Sequence, residues 1–317
     1  MGFSELLGNE QLKSRLVQTF ATDRPSHSYL ICGAEGSGKK TLAKLLSAAF
    51  QCTAGGDVPC GHCGPCRKVM SGNHPDVITV DDPDKVQVSV DLIRGIQADA
   101  YIRPNEGKRK IFLIPRAGQM NGSAQNALLK LMEEPPAYGV FLLVAPTAEG
   151  LLPTIRSRCA LLRLSPLADD VLRGEMTGRY PTAESEKLSA TCGQSGGFLG
   201  QAITLMEQEH LYLPLVEDFA TAYGKGDELG ILSVFPPLEK KNRQEVMENL
   251  EQLREVVAEA LAVSRGGISL YPQAKAIAAR RSSQELFALC GHIQQAVEDC
   301  RGNVNVGNVV ANLHAQI

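Results

Sequence analysis

The first half of the chain alternates between short apolar runs and stretches in which apolar residues recur with helical spacing. Continuous apolar runs are typical of strands in a buried parallel sheet, and spacing of three or four residues is typical of an amphipathic helix. Strands are predicted at 29–32, 76–80, 110–114, 140–144 and 161–164, and helices at 9–20, 42–46, 89–101 and 123–133. This order predicts an α/β fold, a parallel sheet with helices on both faces.

The second half of the chain shows helical patterns only. From Ser165 onward no strand pattern recurs, and the segment 193–200 is rich in glycine. Helical patterns lie at 167–202, at 243–263, from the capping box of Ser282 and Glu285 onward, and around 309–313. We therefore expect an α/β domain over 1–164, a small helical domain over 165–208 and an all-helical domain over 209–317.

Composition excludes few classes of protein. The formal net charge is −3 and 44% of the residues are hydrophobic, which is enough for ordinary cores. No apolar run approaches the ~20 residues that a membrane-spanning helix needs, so we expect a cytoplasmic protein with no membrane partner. A negative net charge gives no overall attraction to nucleic acid, and any DNA contact must come from a local patch or from partner subunits.

A glycine-rich loop follows the first predicted strand. Gly33 and the pair Gly38-Lys39 have the spacing of a phosphate-binding P-loop between a strand and a helix. Its glycines are expected to take positive φ angles and turn N–H groups inward, while the helix N-terminus and the Lys39 ammonium attract phosphate. Lys40 stands where the pattern requires a Ser or Thr ligand for Mg²⁺, and Thr41 lies about 100° further round the helix. The candidate nucleotide-binding residues are Gly33, Gly36, Gly38, Lys39, Lys40 and Thr41. The alternative is a strand-to-helix turn that is rich in glycine by chance.

The third predicted strand, whose apolar continuity is that of a central strand, ends without an acid. P-loop ATPases hold Mg²⁺ and polarise water with carboxylates there, but this strand is followed by Pro115 and Arg116. The chain therefore lacks groups that lower the barrier to hydrolysis, and we do not expect Mg²⁺. Lys39 can still bind phosphate, which leaves ATP or ADP binding without turnover open. If the strands are misaligned, Asp81 and Asp82 are the alternative acids.

Four cysteines crowd a segment that is rich in glycine and proline: Cys52, Cys60, Cys63 and Cys66. Four thiolates at this spacing suit tetrahedral Zn²⁺ in a closed structural site, and we predict a zinc module over about residues 52–75. A bacterial iron–sulfur cluster would need a cysteine at Met70. His62 is expected to be a solvated neighbour of the site. The alternative is a group of plain reduced cysteines.

Arg158 ends a loop just before the fifth predicted strand. An arginine beside a P-loop sheet can point out of its own subunit towards the γ-phosphate of a neighbour, where a guanidinium stabilises transition-state charge. Spacing alone gives this hypothesis little support, because most surface arginines are solvated or form weak ion pairs.

Several segments resemble the bacterial clamp-loader ATPases of the AAA+ class and occur in that family's order. They are 27–30, the cysteine insert, 74–76, 126–136, 152–159 and, beyond Ile203, the segment 303–305 before the last predicted helix. The resemblance implies an AAA+ (RecA-like) P-loop domain with a zinc insert, a helical lid over 165–208 and an all-helical collar over 209–317 that joins the subunits into a ring.

Within this family, the gamma or tau subunits are motors that hydrolyse ATP. Subunits of the delta-prime type lack a working ATPase site, and the arginine of their Ser-Arg-Cys segment reaches the active site of the adjacent motor. Lys40, Pro115 and Arg116 are similar to the delta-prime type, and Gln201 replaces a basic sensor. The resemblance implies that Arg158 acts in trans. The implied partners are the gamma/tau and delta subunits, the sliding clamp, and primed DNA through the assembled complex. The alternatives are a working AAA+ ATPase of the gamma/tau type in DNA replication or repair, and a metal-stabilised interaction module without a finger.

Overall fold

Residues 2–22, 25–82, 85, 87–207, 212–269, 271–302 and 304–317 are described by this computed structural model. Two units divide the chain, Met1–Ala183 with Cys192–Thr204 and Glu184–Thr191 with Leu205–Ile317. The three domains expected from the sequence stay a prediction. Residue 208, where the lid was expected to end, and Asn303 lie outside the described residues.

The first unit is built on a parallel sheet. In the described part of the chain this sheet has five strands in the order β2-β3-β4-β1-β5. They are β1 (Ser28–Cys32), β2 (Val77–Thr79), β3 (Lys110–Ile114), β4 (Gly139–Ala145) and β5 (Ala160–Arg163), and every pairing is parallel. The predicted strands are therefore confirmed. The expectation of a central third strand needs a correction, because β3 lies between β2 and β4 while β4 takes the middle position.

Helices of the first unit cover both faces of the sheet. They are α1 (Glu10–Ala21), α2 (Lys39–Gln51), α3 (Gly64–Met70), α4 (Val90–Ala100), α5 (Gly122–Glu133), α6 (Pro153–Arg156) and α7 (Asp169–Arg179), followed along the chain by α8 (Ser185–Gln194) and α9 (Leu199–Glu207). Ser89 caps α4 as expected, accepting the Leu92 N–H at 3.4 Å. Asn121 caps α5, accepting the Ala124 N–H at 2.8 Å, so that helix begins just before the predicted Ser123.

Alternate residues of each strand supply two separate cores. Leu30, Phe112 and Phe141 belong to the core beneath α4 and α5, where the two phenyl rings stack with centroids 5.5 Å apart. Tyr29 and Ile111 belong to the core on the other face, together with residues of α1 and α2. The fold class predicted from the sequence, a parallel P-loop sheet with helices on both faces, is confirmed.

The second unit is helical in its described part. Its helices from residue 214 onward are α10 (Pro214–Lys225), α11 (Glu228–Glu239), α12 (Arg243–Val263), α13 (Pro272–Arg280), α14 (Ser283–Arg301) and α15 (Val306–His314). The bounds of α12 and the Ser282 capping box of α14 are as predicted. Among the described residues no helix is long and apolar enough to cross a membrane.

Candidate functional site

The P-loop leaves the carboxyl end of β1 and runs into the first turn of α2. Gly36 and Gly38 take left-handed backbone angles, with φ of 72° and 91°, as the sequence led us to expect. Gly33 does not, so the expectation of positive φ there is wrong. Its constraint is steric instead, because a Cβ at Gly33 would lie 2.7 Å from Oγ of Ser37 and 3.1 Å from Cβ of Leu164.

Lys39 is the first residue of α2 and folds back onto the loop. Its Nζ donates to the carbonyl oxygens of Gly33 at 2.7 Å and Ala34 at 2.6 Å. Burial lowers the pKa of Lys39, against an opposing effect of the Glu35 carboxylate. These two bonds use two of the three N–H groups of the ammonium, which leaves one for a phosphate oxygen. Lys40 and Thr41 are exposed on the next positions of the helix.

The loop lines a cleft of about 1020 Å³ in the first unit. Its walls include Leu6, Lys39, Arg116, Pro146 and Phe198. The first turn of α9 touches the loop itself, since the Gly200 N–H donates to the Gly36 oxygen at 3.0 Å. A Cβ on Gly36 would lie 2.4 Å from the Gln201 nitrogen, so the two backbones are in direct contact. Glycine spacing along the chain did not predict that Gly36 packs against Gly200.

Arg116, just after β3, binds the aspartate that follows β2. Its Nε and Nη2 donate to Oδ1 of Asp81 at 2.8 and 2.7 Å, and Nη2 also donates to the Asp82 carbonyl oxygen at 2.6 Å. The Asp82 carboxylate lies 3.1 Å from Nζ of Lys85. Both alternative acids named from the sequence are therefore paired with cations, which argues against either of them holding Mg²⁺.

The four clustered cysteines come together as predicted. The Sγ atoms of Cys52, Cys60, Cys63 and Cys66 all lie within 4.8 Å of one another. Tetrahedral Zn²⁺ with Zn–S bonds of about 2.3 Å places its sulfurs about 3.8 Å apart, so this cluster fits a bound ion. The group can hold a metal ion. His62 is exposed, and its Nδ1 lies 3.1 Å from the carbonyl oxygen of Cys60.

Backbone elements hold the sulfurs in place. Cys52 directly follows α2, Cys63 directly precedes α3, and Cys66 lies within α3 with its Sγ 3.6 Å from the Ala48 oxygen. Burial raises the pKa of the Cys63 thiol, but hydrogen bonds from the backbone of Thr53 and from Cys66 and Cys60 bring it down to about 6. This low pKa favours the thiolate form of Cys63, which binds metals, whereas burial raises the thiol pKa of Cys52 and Cys66.

The segment His74-Pro75-Asp76, noted in the sequence only as part of the resemblance, has a structural role. The buried Asp76 carboxylate accepts the backbone N–H groups of Asn105, Glu106 and Gly107 at 2.6, 3.0 and 2.7 Å. The Glu106 side chain pairs with Lys68 of α3 at 2.6 Å. Asp76 thus fixes a loop to which the helix of the cysteine module is attached.

Arg158 lies between α6 and β5, and its side chain is 36% exposed. Nη1 donates to the Thr154 oxygen at 3.0 Å, and Nη2 donates to Oε1 of Glu133 at 2.9 Å. Cys159 packs against the core beneath α4 and α5, and burial raises its thiol pKa to about 12. A partly buried neighbour and a bonded guanidinium hold Arg158 in position at the surface.

Residues 8–168, half of the chain, match the family described as "DNA polymerase III, delta subunit". The chain belongs to this family. The resemblance to clamp-loader proteins, inferred from the sequence motifs, is thereby confirmed. The match includes the P-loop, the four cysteines, Arg116 and Arg158.

Proteins similar to this chain include subunits named delta' and subunits named tau. The chain is 38% identical over 152 residues to "DNA polymerase III subunit delta'" of Bacillus subtilis, covering 48% of this chain and 46% of that one. It is 28% identical over 259 residues to "DNA polymerase III subunit tau" of the same organism, covering 79% of this chain and 46% of tau. The chain thus spans about half the length of these curated relatives. It is also similar to the crystal structure of a DNA polymerase III gamma subunit-related protein from Thermotoga maritima, with 17% identity, a TM-score of 0.49 and coverage of 96% and 97%.

Proposed function

We propose that the chain is a non-hydrolysing, delta-prime-like subunit of the DNA polymerase III clamp loader. In this role it joins gamma or tau motor subunits and a delta subunit and supports the ATP-driven loading of the sliding clamp on primed DNA. It meets DNA through the assembled complex and acts in the bacterial cytoplasm without a membrane partner. Relatives named delta-prime and tau support a place in this complex.

The observation that carries the proposal is the ion pair between Arg116 and Asp81. An ATPase site needs a carboxylate that can hold Mg²⁺ or polarise the attacking water. Here Arg116 stands at the end of β3 and occupies the neighbouring carboxylate with two N–H groups. Lys40 adds a second positive charge where a hydroxyl ligand is required. Two cations repel a metal ion, so this loop supports phosphate binding through Lys39 at most and no turnover.

We assign Arg158 the role of an arginine finger that acts in trans. It is held at the surface of the first unit with its guanidinium partly exposed. A guanidinium that reaches a neighbour's γ-phosphate stabilises the charge that develops on the transferred group, an effect of about 10³-fold or more in turnover. The chain then contributes to catalysis at a motor subunit while its own P-loop stays inactive.

The cysteine cluster is proposed to hold a structural Zn²⁺. Four sulfur ligands close a tetrahedral site and leave no position for water or substrate, so the ion supplies cohesion and no chemistry. Cys52, Cys60, Cys63 and Cys66 are the ligands, and the ion joins the end of α2 to α3.

The test of the finger is the ATPase of a loader reconstituted from the same source on clamp and primed DNA. Arg158→Ala is compared with wild type and with Arg156→Ala, which removes an exposed arginine two residues away at the end of α6. The proposal expects a sizeable fall with Arg158→Ala alone, with assembly intact. Sites served by other fingers keep their rate. An unchanged rate with Arg158→Ala removes the finger and favours a metal-stabilised interaction module.

A second candidate function is a working ATPase of the gamma or tau type. The similarity to tau over 79% of this chain and the presence of Lys39 at the start of α2 favour it. Mg²⁺-dependent ATP hydrolysis by the purified chain, compared with Lys39→Ala, decides between the two. Turnover that disappears in Lys39→Ala replaces our proposal, whereas no turnover in either chain supports it.

A further inference from the structure

Each terminal nitrogen of the Arg158 guanidinium donates to one acceptor. One is the carbonyl oxygen of Thr154 and the other is Oε1 of Glu133, at 3.0 and 2.9 Å. An arginine has five N–H donors, and these two contacts within the described residues use two of them. The guanidinium is therefore oriented and still has N–H groups with which it can bind an anion.

Both members of the ion pair stand on anchored backbone. Glu133 is the last residue of α5 and directly follows Leu131 and Met132, which are both 2% exposed. The backbone N–H of Arg158 donates to the oxygen of Ile155 at 3.0 Å, and Ile155 is fully buried. The position of the carboxylate relative to the guanidinium is thus set by the packing of α5 and α6.

We propose that Glu133 is a positioning residue for Arg158. Its carboxylate selects one orientation of a long side chain that otherwise samples many rotamers, so the guanidinium is already directed when a neighbouring subunit docks. This inference rests on the proposed finger role of Arg158. Because an exposed ion pair is weak, Glu133 orients the arginine without withholding it from a phosphate.

The expected effect follows from the rotamer freedom that Glu133 removes. Arginine has one of the largest side-chain entropies, and an exposed ion pair restricts part of it, so its loss lowers the rate at the site served by about 2- to 5-fold. Between about one half and four fifths of the Arg158-dependent ATPase is then lost. The KM for ATP stays unchanged, because the neighbour's own P-loop binds the nucleotide.

The experiment uses the full reconstituted loader with clamp and primed DNA and measures kcat, KM for ATP and the thermal midpoint of each variant chain. The variants are Glu133→Ala, Glu133→Gln, Arg158→Ala, the double variant Glu133→Ala/Arg158→Ala and, as matched control, Glu134→Ala. Glu134 is the next residue and is also exposed. Glu133→Gln keeps an acceptor oxygen of similar size, so it is expected to lose less activity than Glu133→Ala.

We expect Glu133→Ala to lower kcat only, the double variant to match Arg158→Ala, and Glu134→Ala to match wild type. If Arg158→Ala is impaired while Glu133→Ala keeps the wild-type rate, the positioning role is wrong and the finger stands. A faster Glu133→Ala loader also overturns the inference, because Glu133 would then restrain the arginine. A wild-type rate in Arg158→Ala removes the proposed finger and this inference with it.

Discussion

Removal of the buried Asp76 carboxylate is expected to lower the free energy of unfolding by an amount that can be worked out from its hydrogen bonds. The carboxylate accepts three backbone N–H groups of the loop that precedes β3 and is fully buried. Burial on its own raises the pKa of Asp76, but the N–H groups of Glu106, Asn105 and Gly107 bring it below its usual value. The charged form is therefore the one that stabilises the fold.

The size of the effect follows from these three bonds. A hydrogen bond to a charged acceptor contributes about 1.5–3 kcal/mol, so three give about 4.5–9 kcal/mol if they add. Asn105 and Glu106 are exposed, and water can solvate their N–H groups once the carboxylate is gone. We therefore expect Asp76→Ala to lower the free energy of unfolding by about 3–4 kcal/mol and Asp76→Asn, which keeps one acceptor oxygen, by about 1.5–2 kcal/mol.

The assay is urea denaturation at pH 7, followed by circular dichroism, with hydrogen–deuterium exchange of peptides over 104–114 to locate the change. Asp91→Ala is the control, because Asp91 is 86% exposed and lies 3.6 Å from Arg94. It should change the free energy of unfolding by less than about 0.5 kcal/mol. The Asp76 contribution is present above the unfolded pKa of about 3.9 and is lost as pH falls through the lower folded pKa. If Asp76→Ala behaves like Asp91→Ala and exchange over 104–107 is unchanged, the carboxylate does not hold this loop and our reasoning is refuted.

Three further predictions concern the glycine contact, the metal and pH. Gly200→Ala places a Cβ 2.5 Å from Cα of Gly36, so urea denaturation should show a loss of about 1–3 kcal/mol. Gly193→Ala, whose Cβ meets nothing within 4 Å, should be neutral or stabilising in the same experiment. The wild-type chain and the control Cys290→Ser should retain zinc after dialysis, whereas Cys66→Ser should lose it. Atomic emission measures the zinc content of each chain. Burial lowers the pKa of His74, against an opposing effect of Asp76, so the unfolded chain binds a proton that the folded chain excludes. The free energy of unfolding should then fall as pH drops below about 6.5, and urea denaturation at several pH values should show a smaller fall in His74→Gln.

Apolar spacing and helix-capping residues correctly predicted the helices and strands in which local preference and tertiary packing favour the same structure. The continuous apolar run of β3 and the capping box before α14 appear where the sequence placed them. Helix α11 was not predicted, because it contains Pro236 and Pro237 and proline removes a helix hydrogen bond. Phe235 and Leu238 on either side are buried in the helical core, and this packing outweighs the local preference.

In the candidate site too, features that are local in sequence were predicted and contacts between distant segments were not. Cysteine spacing predicted a cluster because its members are close in sequence, and the P-loop spacing predicted a glycine-rich loop between a strand and a helix. The pair of Arg116 with Asp81 was not foreseen, since it depends on β2 and β3 lying side by side. Glu133 meets Arg158 only because α5 packs beside α6, which Arg158 follows closely in the chain. Contacts of this kind depend on tertiary packing, which spacing along one segment does not encode.

Helix α2 begins with Lys39 at the glycine-rich loop and ends at Gln51, directly before Cys52 of the cysteine cluster. At 1.5 Å per residue its length is about 20 Å, so a stiff, largely buried rod joins two sites that share no atoms. A metal ion bound at its carboxyl end would resist fraying of the helix there. Metal binding at the cysteine cluster would then limit the motion of the glycine-rich loop at the other end of α2. A spectroscopic label near Lys40 should report metal removal some 20 Å away.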